Sequence, residues 1–261
     1  MAHDITKGSS GRPPVVVLER KEQAWAFMVD RFREISERAI GERGRFSAAL
    51  SGGKTPEDLY LEMGRLLKDL EWKSIHIFLV DERLVPPGDD RSNYGMIKRT
   101  LLDMIPMPAV NVHAIATEGV DPPTSARKYE ADLQGFFATG EGNIPELDMI
   151  LLGMGEDGHT ASLFPGLPDL AAENRLARGV EAGPGRIARV TLTLPVINCG
   201  RAVFFLVIGK AKAGIVKRVA EEREPGLPAS LVQPGEGRLF FVCDGEAASM
   251  LDKDPGRSKT A

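Results

Sequence analysis

The chain has 261 residues and a formal net charge of −4, from 33 Lys+Arg against 37 Asp+Glu. Hydrophobic residues make up 43% and charged residues 27%, ordinary for a globular protein, and the acidic balance excludes the broad basic footprint of a nucleic-acid binder. No apolar run reaches the roughly 18 residues of a membrane span, so no membrane partner is expected, and the start of the chain lacks a signal-peptide core.

Two cysteines, Cys199 and Cys243, are too few for a disulfide framework. Reduced thiols in a cytoplasmic protein are expected. The polar stretches 1–14 and 252–261 read as flexible termini, leaving 15–251 as a single α/β domain.

In chain order, Val15–Leu18 reads as a buried strand. Glu19–Ile40 carries Ala24, Phe27, Met28, Phe32, Ile35 and Ala39 at three-to-four-residue spacing, the pattern of a helix. The strand Arg45–Leu50 runs into Ser51-Gly52-Gly53-Lys54-Thr55-Pro56, and Glu57–Leu70 follows as a helix. Pro56 suits its first turn, with Thr55 as N-cap. The strand Ile75–Val80 ends at Asp81-Glu82-Arg83, then a loop leads to a helix from Asn93 to Leu102.

Val110–Ile115 reads as a strand and Ser125–Phe137 as a helix. The strand Asp148–Leu152 enters the glycine-rich run 153–166. Strands Arg189–Leu194 and Ala202–Ile208, a helix Lys210–Glu222, a strand Leu239–Cys243 and a helical turn Gly245–Met250 complete the order. The span 167–186 carries no readable motif. Alternating strands and helices imply a mostly parallel sheet with helices on both faces. Ligands bind such sheets outside the carboxyl ends of the strands. The three polar, glycine-marked segments 51–56, 81–93 and 153–166 each follow a strand, so they should meet at one edge.

Ser51-Gly52-Gly53 before a helix allows backbone N–H groups to approach an anion, although a tight turn with a helix cap would need the same residues. It has neither P-loop nor dinucleotide-fingerprint spacing. Asp81 and Arg83 suit sugar hydroxyls and a phosphate or carboxylate, or equally a solvated ion-pair cluster. His159 sits among Gly153, Gly155, Gly158 and Gly166, and its imidazole suits general acid–base work, with Asp157 two residues away as an orienting group. His76 and His113 fall in strands, where packing roles are expected. Metal-ligand spacings and a nucleophile elbow are both missing, so no metal is expected.

These segments, with Ser92-Asn93-Tyr94, Leu152 to Gly166, Arg189-Val190-Thr191-Leu192-Thr193-Leu194-Pro195 and Gly209 before Lys212-Ala213, resemble the 6-phosphogluconolactonase family in order and spacing from about Val15 to Asp244. The resemblance implies a Rossmann-like fold and hydrolysis of 6-phospho-D-glucono-1,5-lactone, without a cofactor and as a monomer. It makes His159 the general base, with Asp157 and Asp81 assisting. Ser51, Gly52, Gly53, Lys54, Thr55, Arg83, Asn93, Gly155, Arg189 and Lys212 then form the substrate and phosphate site. Amino-sugar-phosphate isomerases of the same fold carry a glutamate before the loop's proline, where this chain has Phe164. A non-catalytic sugar-phosphate sensor is the further alternative.

Overall fold

The computed structural model describes residues 13–140, 142–168, 170, 174–183, 185–235 and 238–252. The flexible termini expected at 1–14 and 252–261 thus lie, apart from 13, 14 and 252, outside the described residues. Among the described residues, no helix is long and apolar enough to cross a membrane.

Strand β1 (Val15–Leu18) leads into helix α1 (Lys21–Arg43). The helix starts where Gln23 Oε1 accepts the Arg20 amide, and it stops at Gly44, whose φ of 75° turns the chain out of the helix. Then come β2 (Phe46–Leu50), α2 (Lys54–Leu66), β3 (Ile75–Leu79), β4 (Asp81–Arg83) and α3 (Asn93–Thr100). The chain continues through β5 (Val112–His113), α4 (Pro122–Phe137), β6 (Met149–Leu152), β7 (Ala177–Val180) and β8 (Arg189–Leu192). It ends with α5 (Leu194–Asn198), β9 (Ala202–Val207), α6 (Ala213–Val216) and β10 (Arg238–Asp244).

Seven strands form one wholly parallel sheet in the order β1-β10-β9-β6-β2-β3-β5. Every residue of β2, β6 and β9 is buried, as continuous apolar strands covered on both sides must be. Right-handed crossovers then put α1, α2 and α3 on one face and α4, α5 and α6 on the other. The chain leaves β2 toward β3 but leaves β6 toward β9, although β2 and β6 are neighbours. The direction of winding therefore reverses between β2 and β6, and a crevice opens at their carboxyl ends.

The structure departs from the sequence reading in several places; of the strand expected over 110–115, for instance, only β5 forms, preceded by a 3-10 turn at Ala109–Asn111. Arg189–Leu194 does not join the parallel sheet; β8 is the centre of a second, antiparallel sheet, β4-β8-β7. Its β7 lies in the span that carried no motif. Thr55 is not an N-cap: α2 starts at Lys54, three residues before the expected Glu57, and is capped by Gly53, whose φ of 114° a threonine would not tolerate. That helix also ends at Leu66, where the Leu67 carbonyl turns to accept the Trp72 indole N–H. The helix expected over 210–222 is split into a 3-10 turn at Lys210–Lys212, α6 and a π turn at Lys217–Glu221. Both sheets share a single apolar cluster, with Val190, Leu192 and Ala177 packed into the same core as β2 and β9.

Candidate active site

The crevice at the β2–β6 junction is a cleft of about 360 Å³. Its first wall is the turn after β2. Ser51 donates its hydroxyl to the Leu151 carbonyl at 2.7 Å, tying β2 to β6, while the Tyr60 hydroxyl holds the Ser51 carbonyl at 2.7 Å. Gly52 packs closely on Asn93: a Cβ there would lie 1.7 Å from Asn93 Oδ1 and displace that side chain. Gly53 then turns the chain into α2, whose N-terminus has no side-chain cap. Free first-turn N–H groups and the helix dipole make this end attractive to an anion.

The N-terminus of α3, close by, is already occupied. Ser92 Oγ accepts the Gly95 amide at 3.0 Å. The fully buried Glu82 carboxylate accepts the amides of Asn93 at 2.8 Å and Tyr94 at 2.7 Å. It also takes the Ser92 hydroxyl at 3.0 Å and the Arg83 amide at 2.7 Å. Burial still pushes the Glu82 carboxyl upward against those four hydrogen bonds. One helix end thus carries its own carboxylate, whereas the other is open to a ligand. Glu82 escaped the sequence reading because a charged triplet after a strand looks like a solvated cluster.

Asp81 is only 5% exposed. Its carboxylate accepts Asn93 Nδ2 at 3.1 Å and Ser162 Oγ at 2.6 Å, and Arg189 Nη1 lies 3.7 Å away. Arg83 and Arg189 face each other across the β4–β8 ladder. Burial holds the Arg189 guanidinium below its ordinary value; Asp81 opposes this, while Arg83 and Arg186 add to it. The Nε atoms of Arg83 and Arg189 are buried with no hydrogen-bond partner among the described residues.

The glycine run forms the third wall. Gly155 N–H donates to the His159 carbonyl at 2.9 Å, and Gly158 N–H donates to the Gly155 carbonyl at 3.0 Å. This tight fold needs glycine twice: Gly158 has a φ of 80°, and a Cβ on Gly155 would sit 2.1 Å from His159 Nδ1. Ala161, also in the wall, takes a left-handed φ of 52°. That is a strained conformation for a residue with a side chain.

His159 Nδ1 lies 2.5 Å from Asp157 Oδ1, which also accepts the His159 amide at 3.2 Å. Partial burial raises the Asp157 carboxyl, but the His159 ring and amide outweigh it, and the net shift is downward. An ionised carboxylate only accepts, so it assigns the proton to Nδ1 and leaves Nε2 as the basic lone pair.

Lys212 reaches the cleft from the turn after β9, where Asp244 accepts the Gly209 amide at 3.0 Å and the Ala247 amide at 2.8 Å. Every site residue expected from sequence lines the cleft except Asp157, which stands behind His159. The apolar part of the wall, Met154 and Leu206 to Ile208, had no signal beyond strand hydrophobicity.

His76 and His113 lie elsewhere, on β3 and the edge strand β5. His76 Nδ1 is 3.2 Å from His113 Nε2, and His113 Nδ1 is 2.9 Å from Asp132. Among the described residues no group of three or more His, Cys, Asp or Glu is placed to hold a metal ion.

A family model described as glucosamine-6-phosphate isomerases/6-phosphogluconolactonase matches residues 19–241. A 6-phosphogluconolactonase of Synechocystis sp. is 41% identical over 217 residues, covering 82% of this chain and 88% of its own length. The human 6-phosphogluconolactonase is 38% identical over 216 residues, covering 81% and 83%. The crystal structure of 6-phosphogluconolactonase from Thermotoga maritima superposes with a TM-score of 0.76 at 31% identity, covering 89% of this chain and all of that one.

Proposed function

The chain belongs to the family of glucosamine-6-phosphate isomerases and 6-phosphogluconolactonases, as a hydrolase of the lactonase kind, and we propose that it opens 6-phospho-D-glucono-1,5-lactone by histidine-activated attack of water. The reading rests on one observation above the others. His159 lines the cleft with its Nδ1 tied to Asp157, so that Nε2 is the available base.

In this mechanism His159 Nε2 takes a proton from water as the water oxygen bonds to the lactone carbonyl carbon. The carbonyl π electrons move to oxygen and form a tetrahedral oxyanion. Its collapse breaks the bond to the ring oxygen, which receives the proton back from His159. The product is open-chain 6-phosphogluconate. General acid–base catalysis of this type contributes roughly 10²- to 10⁴-fold. Asp157 keeps the imidazole in the correct tautomer, as the carboxylate of a catalytic triad does.

The phosphate is remote from the reacting carbon and works as a handle. The open N-terminus of α2, with Lys54, Thr55, Arg83, Arg189 and Lys212 around the same cleft, supplies its donors and cations. Asn93, Gly155 and the buried Asp81 complete the lining on the sugar side. The reaction corresponds to the second step of the oxidative pentose phosphate pathway. Residues 15–251 would act as one catalytic domain, in a monomer, in the cytoplasm, and no step calls on a metal or a redox cofactor.

The test is lactone disappearance with spontaneous hydrolysis subtracted. His159→Ala is expected to lower the enzyme-dependent rate at least about 100-fold while the protein stays folded. A folded His159→Ala protein with near wild-type turnover overturns the base assignment. Ammonia release from glucosamine 6-phosphate would instead place the chain with the deaminating members of the family.

A further inference from the structure

The imidazole of His159 has only one side-chain polar tether among the described residues, the contact of Nδ1 with Asp157. A ring held at one atom can still pivot about that bond. Asp157 is itself only partly buried, with 47% of its side chain exposed. Arg189 is held loosely as well. Its Nη1 lies 3.4 Å from Ser162 Oγ and 3.7 Å from Asp81, both long, and its Nε has no partner among the described residues.

One side chain touches both groups. Phe164 is 7% exposed. Its ring centroid lies 4.9 Å from that of His159, and the Arg189 guanidinium carbon lies 5.6 Å from the same ring. A second guanidinium, Arg186, sits at 4.5 Å. Those distances lie within the range in which an aromatic face attracts a cation. The Phe164 backbone is anchored too: its carbonyl accepts the Leu167 amide at 3.2 Å across the turn at Gly166, where φ is 84°.

We propose that Phe164 is a positioning residue of the hydrolytic centre, fixing the plane of the His159 imidazole and carrying the Arg189 guanidinium on one aromatic ring. This deepens the lactonase reading and rests on it. A contact on the ring adds what the Asp157 tether lacks: the Phe164 ring, inclined 42° to the imidazole, blocks its pivoting about that tether. The base and the cation then keep a set separation before substrate arrives, and that is where catalytic rate is sensitive to small displacements. An aliphatic side chain would fill the space without attracting either guanidinium.

Phe164→Leu and Phe164→Tyr test the idea, with His159→Ala alongside in the same lactone assay. Phe164→Leu is expected to lower kcat about tenfold with KM within about threefold of wild type. Calorimetric binding of 6-phosphogluconate should keep its stoichiometry, which shows that the folded fraction is unchanged. Phe164→Tyr, which keeps the ring, should retain most of kcat. Wild-type kcat in Phe164→Leu, or an equal loss in Phe164→Tyr, overturns the proposal. If Phe164→Leu loses binding stoichiometry, Phe164→Met replaces it with the same expected split. A dead His159→Ala beside a fully active Phe164→Leu removes only the positioning role, whereas an active His159→Ala removes the base assignment itself.

Discussion

At the residue scale, the pair we propose for catalysis is local, so its contact was legible in the sequence. Asp157 and His159 are two positions apart, and the intervening Gly158, with its φ of 80°, lets the chain turn back so that carboxylate and imidazole meet. Asp81 and Ser162 also meet, yet they are 81 residues apart, and only the fold brings them together. No spacing in the sequence announces that contact. The Asp157 contact carries a prediction. Asp157→Asn keeps the size of the side chain but removes the charge that assigns the proton to Nδ1. We expect kcat to fall at least about tenfold, with KM and the thermal midpoint little changed. Steady-state kinetics with a melting curve decides it; unchanged kcat would mean that the charge of Asp157 is not what orients His159.

At the scale of elements, two neighbouring helix ends meet different fates. The N-terminus of α3 is neutralised from within by Glu82, whereas that of α2 is left open toward the cleft. A charged triplet reads as surface, and Asp81-Glu82-Arg83 becomes a strand only because β8 pairs with it. That partner lies over a hundred residues away, so neither the strand nor the burial of Glu82 was readable. Glu82→Gln should therefore cost more than a surface exchange. Its amide nitrogen would face at least one backbone N–H now bound to a carboxylate oxygen, leaving donors unpaired in a dry site. We expect a loss of about 2 kcal/mol in urea unfolding, with reduced activity as Ser92 and Asn93 shift. Stability within about 0.5 kcal/mol of wild type would show that the cluster is wet.

For the whole molecule, the alternation of strands and helices correctly implied a parallel sheet, and the three glycine-marked segments do meet at one cleft. The second sheet was missed because β7 is only four residues long and includes Arg178 and Gly179. Whole-molecule stability has its own titrating group at the far end of the sheet. Burial, then the neighbouring His113 and Arg45, hold the His76 imidazole down from 6.5 to about 4. Asp132 engages only the His113 side of the pair. The unfolded chain takes up this proton first as pH falls. Stability should therefore be full above about 6.5 and decline progressively toward 4. Urea midpoints measured above and below that window should fall less steeply in His76→Phe than in wild type. Equal slopes would assign the acid sensitivity to other groups.

The outermost strand, β1, pairs with β10 and with no other strand of the sheet. A chain synthesised from its amino end therefore makes Val15–Leu18 first and can seat it last, once Arg238–Asp244 has emerged. For nearly the whole of translation, four consecutive aliphatic residues wait without their neighbour. Such a segment is a natural target for holding chaperones and an early point of misassembly when synthesis stalls.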